Sequence, residues 1–87
     1  MSSETAFTAA LAEHRAVAIL RTNDRERAAA AMRAAVEAGF RVVEFTVTTP
    51  GAMDLIAEFS RDRRLVVGAG TVLTPEVAGA AVQAGAR

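Results

Sequence analysis

Apolar residues fall in short runs along this chain, and the runs recur about every two dozen positions: Val17-Ala18-Ile19-Leu20, Val42-Val43-Glu44-Phe45 and Leu65-Val66-Val67-Gly68. Each run reads as a strand. Each is followed by a stretch whose apolar residues lie three and four apart, the helical period. Strands alternating with helices at this spacing predict repeated strand–helix units on a parallel sheet. The expected fold class is α/β.

A helix over about residues 4–15 is predicted first, with Phe7, Ala10, Leu11 and His14 on one side, plugging one end of the sheet. Strand one covers about 16–20, and Arg21 stands at its C-terminal end. Thr22-Asn23-Asp24 is a turn, and Asn23 with Glu26 three residues later resembles a capping box. The helix over about 24–38 turns Ala28, Met32, Ala35 and Val36 inward and Arg25, Arg33 and Glu37 outward, with Gly39 as its left-handed terminator.

Strand two covers about 41–47. Alternation puts Val42, Glu44, Thr46 and Thr48 on one face and Val43, Phe45 and Val47 on the other. The second set is fully apolar and is expected to face the helices. The first grows more polar toward the strand's C-terminal end, the end where β/α barrels build their active sites. Thr49-Pro50 should open a helix over about 50–60, Thr as cap and Pro in the first turn, with Leu55, Ile56 and Phe59 inward. Strand three, about 65–68, leads into Gly68-Ala69-Gly70-Thr71. Thr74-Pro75 repeats the cap-then-proline device for a helix over about 75–84, with Val77, Ala81 and Val82 inward and Gly85 at its end. No linker interrupts residues 1–87, so one continuous domain is expected.

Size complicates this picture. A closed barrel of eight such units takes roughly 250 residues, about 200 at the lower end. Eighty-seven residues supply three units, and parallel strands need cover on both faces. Two sheet edges would stay open, so the chain is expected to be a piece of a larger protein or to need partner chains. A fourth strand would be expected directly after Arg87. The residues are 52% hydrophobic with four aromatics, so Ala, Val, Leu and Ile build the core.

Ten cations balance ten acids, which argues against a polyanion-binding surface and a nucleic-acid partner. With no cysteine there is neither a disulfide framework nor a thiolate metal site. No apolar run approaches the ~20 residues of a membrane span, and Met1-Ser2-Ser3-Glu4 does not open a secretion signal. A cytoplasmic protein without a membrane partner is the expectation.

Glu44 is the sharpest chemical signal, a carboxylate where strand two should carry a core residue. Burial costs a carboxylate its hydration and favours holding a proton, which suits a general acid–base. Two other readings stay open: a structural partner for a buried arginine, or a group facing solvent on an open sheet. Gly68-Ala69-Gly70-Thr71 looks like a phosphate loop but lacks both the third glycine of G-x-G-x-x-G and a Gly-Lys-Ser/Thr. Its glycines either admit close backbone approach or clear space for a ligand, with the Thr71 hydroxyl as donor. Arg21 either binds a carboxylate or phosphate bidentately or lies exposed on the surface. Thr46 and Thr48 either line a cavity or are ordinary strand threonines. His14, the sole histidine, reads as a surface residue.

Three stretches carry a resemblance: Gly39-Phe40-Arg41-Val42-Val43-Glu44-Phe45-Thr46, then Thr49-Pro50-Gly51-Ala52, then Val67-Gly68-Ala69-Gly70-Thr71-Val72-Leu73-Thr74-Pro75-Glu76. They resemble the KDPG/KHG aldolase family, the 2-keto-3-deoxy-6-phosphogluconate and 4-hydroxy-2-oxoglutarate aldolases. The resemblance implies the first three units of a (β/α)8 TIM barrel, typically a homotrimer. It implies a class I aldolase of carbohydrate metabolism, Entner–Doudoroff chemistry included. Such an enzyme cleaves a keto acid to pyruvate and an aldehyde without cofactor or metal. The family's lysine, on a later strand, forms a Schiff base with the substrate. By resemblance Glu44 shuttles protons and Thr71 contacts the pyruvate carboxylate. Many members carry an arginine four positions after the glutamate; here that position is Thr48, and Arg21 is expected to take over carboxylate binding.

The chain contains no lysine. Imine formation needs a primary amine that can lose its proton, and a guanidinium stays protonated. The chain as it stands is therefore expected to be inactive as a class I aldolase. Two alternatives remain at this point: part of another phosphate-binding (β/α)8 isomerase or synthase, or a non-enzymatic piece that self-associates through its open edges.

Overall fold

The computed structural model describes residues 3–87. The order is α1 (Ser3–His14), β1 (Val17–Leu20), α2 (Arg25–Glu37), β2 (Val42–Thr46), α3 (Ala52–Ser60), β3 (Val66–Gly70) and α4 (Pro75–Ala84). The three strands form one sheet in the order β1-β2-β3, and both pairings are parallel. In register, Glu44 of β2 lies between Ile19 of β1 and Gly68 of β3, and Thr46 lies beside Gly70. All three C-terminal strand ends therefore share one edge of the sheet.

The pleat sorts β2 as its alternation predicts. Val43 and Phe45 join Val67, Met32, Leu55, Ile56 and Phe59 in one buried cluster. Phe45 meets Phe59 edge-on, with ring centroids 5.2 Å apart and planes 60° apart. Burying an aliphatic or aromatic side chain of this size contributes about 1.5–3 kcal/mol, against about 1–2 kcal/mol of backbone entropy for each residue ordered. Ala28 and Ala29 are the buried small residues of α2, and they let that helix lie close to the sheet. Val42 is fully buried but stands outside this cluster. It belongs to the opposite face, where α1 packs against β2 and β3.

Several expectations shift. The α2 cap is Asp24, whose Oδ1 accepts from the Arg27 N–H at 3.0 Å, rather than Asn23. Helix α3 begins at Ala52, because Gly51 takes φ 72 and acts as a left-handed cap without a side-chain bond. Thr49 is thus no cap; it is buried in the preceding turn. Strand β3 runs on to Gly70, so Gly68-Ala69-Gly70 is extended strand and no loop. Val82, expected inward, is 65% exposed. Along α1, Phe7 and Ala10 are half-buried whereas Leu11 and His14 are exposed, so the apolar side is narrower than its spacing implies. The Thr74 cap with Pro75 behind it forms as predicted, its Oγ1 accepting from the Val77 N–H.

After α4 the chain returns to the outer edge of β3, where the Arg87 N–H donates to the Val67 carbonyl at 2.8 Å. Among the described residues no helix is long and apolar enough to cross a membrane.

Candidate functional site at the C-terminal strand ends

Every residue singled out for chemistry stands on β2 or directly after a strand. Arg21 follows β1, Glu44 lies in the middle of β2, Thr46 ends β2, Thr48 lies in the next turn, and Thr71 follows β3. Parallel pairing collects them at one end of the sheet, on the face opposite the helical core.

Glu44 is half-buried, less so than a core position would be. No arginine among the described residues forms an ion pair with it. That disposes of the reading of Glu44 as a structural partner of a buried cation. A cavity of about 340 Å³ opens beside it, lined by Phe7, Thr8, Glu44, Gly68, Ala69 and Arg87. Helix α1 supplies two of those walls, so it shields one side of the carboxylate from bulk water.

Arg21 and Thr71 come together although they are fifty positions apart: Arg21 Nη2 donates to Thr71 Oγ1 at 3.3 Å. Both are exposed. Among the described residues Arg21 forms no ion pair, so its charge is free to meet an anion. Thr71 takes φ 59; among the described residues only Arg15 shares a positive φ without being glycine. A β-branched residue there is a conformational outlier, and such strain gathers at functional positions.

Between these groups runs a row of hydroxyls. Thr46 Oγ1 lies 3.2 Å from both the Thr48 and the Thr49 hydroxyl. The Thr22 N–H donates to Thr49 Oγ1 at 3.4 Å, and the Asp24 N–H donates to Thr22 Oγ1 at 3.3 Å. This row ties the turn after β1 to the turn after β2. Thr49, only 2% exposed, is its hub, and sequence reasoning assigned it to a helix cap. The signal available was three threonines in four positions at the end of a strand.

The arrangement offers a carboxylate and a guanidinium that form no ion pair among the described residues, the first to move protons and the second to hold a carboxylate or phosphate, together with neutral hydroxyls to donate or accept. It offers no side-chain amine, since the chain has no lysine. The family model for KDPG and KHG aldolases matches residues 7–87. No curated protein matches the chain at a significant level.

Proposed function

We propose, starting from the fact that this chain belongs to the KDPG and KHG aldolase family, that it forms the proton-transfer and carboxylate-binding part of a class I aldolase site. In this reading the three strands are the first units of a (β/α)8 barrel. The reaction cleaves a 2-keto-3-deoxy (phospho)sugar acid or 4-hydroxy-2-oxoglutarate to pyruvate and an aldehyde.

The observation that carries the reading is Glu44: an acid in mid-strand, free of ion pairs among the described residues, beside a cavity. Schiff-base cleavage needs one group that takes the proton from the C4 hydroxyl of the imine-bound substrate as the C3–C4 bond breaks to aldehyde and enamine, and that then returns a proton to the enamine carbon to give the pyruvate imine. A carboxylate with a dry side and an open side meets that need. Arg21 and Thr71 hold the pyruvate carboxylate, the guanidinium by charge and the hydroxyl by a hydrogen bond. Thr48 leaves that end of the site small and uncharged. The amine must come from outside residues 1–87.

A graft tests this. Residues 7–87 replace the corresponding units of a complete family member that keeps its lysine. With pyruvate and borohydride the graft should trap a covalent adduct, and the chain alone should trap none on a side chain. A correctly folded graft that fails to trap pyruvate refutes the reading.

A further inference from the structure

Gly68 and Gly70 have no backbone reason to be glycine. Both lie in the extended strand β3, and neither has the positive φ seen at Gly39, Gly51 and Gly85. Glycine weakens a strand interior, so its presence twice in three positions calls for a steric cause. Glu44 supplies it. A Cβ on Gly68 would stand 3.3 Å from Glu44 Cγ. A Cβ on Gly70 would stand 2.6 Å from Glu44 Oε1 and 3.7 Å from Glu44 Cδ. The acid's side chain thus lies along a bare trough in β3, its stem over Gly68 and one carboxyl oxygen over Gly70. The trough turns the carboxyl group toward the C-terminal strand ends, one residue short of Thr71.

We propose that Gly70 is a positioning residue: the absence of a side chain at this site sets where the Glu44 carboxyl group stands. The two glycines differ in how much they matter. At Gly68 a methyl group needs only a slight adjustment of the Glu44 stem. At Gly70 the contact must open from 2.6 Å to the ordinary 3.4 Å or more, a displacement of at least 0.8 Å. The atom in the way is the far end of a flexible side chain, so the carboxyl group moves rather than the strand. Misplacement of a reacting group by about 1 Å costs on the order of 10²-fold in rate. The steric statement stands by itself; its catalytic weight rests on the proposed role of Glu44.

The test uses the 87-residue chain, with a ¹³C label in the glutamate carboxyl groups and the Glu44 resonance assigned by its loss in Glu44→Gln. Gly70→Ala should shift the Glu44 resonance, whereas Gly68→Ala should leave it close to the parent. Urea denaturation supplies the second arm. Gly70→Ala should lower the midpoint when Glu44 is present and should leave it unchanged or raise it in a Glu44→Ala background. Should Gly70→Ala fail to fold, recovery of folding in Gly70→Ala/Glu44→Ala carries the same support. The proposal is overturned if Gly70→Ala leaves the Glu44 resonance in place, or if its cost is the same with and without the acid. None of these readouts depends on aldolase activity, so they separate this claim from the one tested by the graft.

Discussion

Thr71 carries a strain whose size can be worked out and released. Its φ of 59 is the left-handed conformation, which costs an L-residue roughly 1–2 kcal/mol. The compensation visible at the residue is the Arg21 hydrogen bond, which is long and exposed. It belongs at the low end of the usual range, about 0.5 kcal/mol. Asparagine tolerates the left-handed region and keeps a polar side chain within reach of Arg21. Thr71→Asn should therefore stabilise the chain by about 0.5–1 kcal/mol. Thr71→Val keeps the branched shape and loses the hydroxyl, and should destabilise by about 0.5 kcal/mol. Thr71→Gly sheds the strain but adds about 0.5–1 kcal/mol of unfolded-chain entropy and loses the bond, so it should fall within about 0.5 kcal/mol of the parent. Urea unfolding with a slope of about 1 kcal/mol per M should separate Asn from Val by roughly 1 M in midpoint. A valine variant as stable as the asparagine variant would refute the strain argument, and with it the inference that function holds this residue in place.

Other expected outcomes follow from single contacts. Three hydrogen bonds from Arg64, two from its guanidinium with the larger effect and one from its backbone N–H with the smaller, hold the Asp62 carboxyl at about 2 rather than its ordinary 3.8. The pair therefore supports the fold above about pH 3.8, and that support is withdrawn as the pH falls from there through about 2; a carboxyl NMR titration of Asp62 with its midpoint near 3.8 would contradict this. Removing the α2 cap with Asp24→Ala should cost about 1 kcal/mol in thermal or urea unfolding, and no loss would mean that the Arg27 N–H finds water equally well. Gly79 lies inside α4 with open space where a Cβ would go, so Gly79→Ala should stabilise by roughly 0.5–1 kcal/mol. Gly85 has φ 118, and a Cβ there would meet Ser60 Oγ at 2.5 Å. Gly85→Ala should consequently destabilise by more than about 1 kcal/mol, and equal effects at the two glycines would contradict the capping account.

How far the sequence could be read differs between the fold and the site. The strand–helix alternation was legible because local periodicity decides it: the pleat of β2 sends Val43 and Phe45 to the helical core and Glu44 and Thr46 to the other face. Element ends were less legible where two local devices compete. Pro50 invited a helix start, yet Gly51 took the left-handed cap and pushed the start to Ala52. Gly68-Ala69-Gly70-Thr71 reads as a loop-like motif whose glycines admit close backbone approach or clear space for a ligand, whereas Gly68 and Gly70 remain extended and make room for the side chain on the neighbouring strand. Spacing alone puts both Ala81 and Val82 inward on α4; Ala81 is buried as expected, whereas the packing of α4 beside α3 leaves Val82 exposed. The meeting of Arg21 with Thr71 and the buried hub at Thr49 depend on strand register, which no local pattern encodes.

The central claim is that Glu44 moves protons for a pyruvate-derived adduct. It is tested most directly by the exchange of the pyruvate methyl hydrogens for deuterium, catalysed by the lysine-bearing graft with Glu44 or with Glu44→Gln. The amide keeps the shape and removes the proton-transfer group, so exchange should slow by about 10²–10⁴-fold. Exchange within threefold of the parent graft would contradict the account.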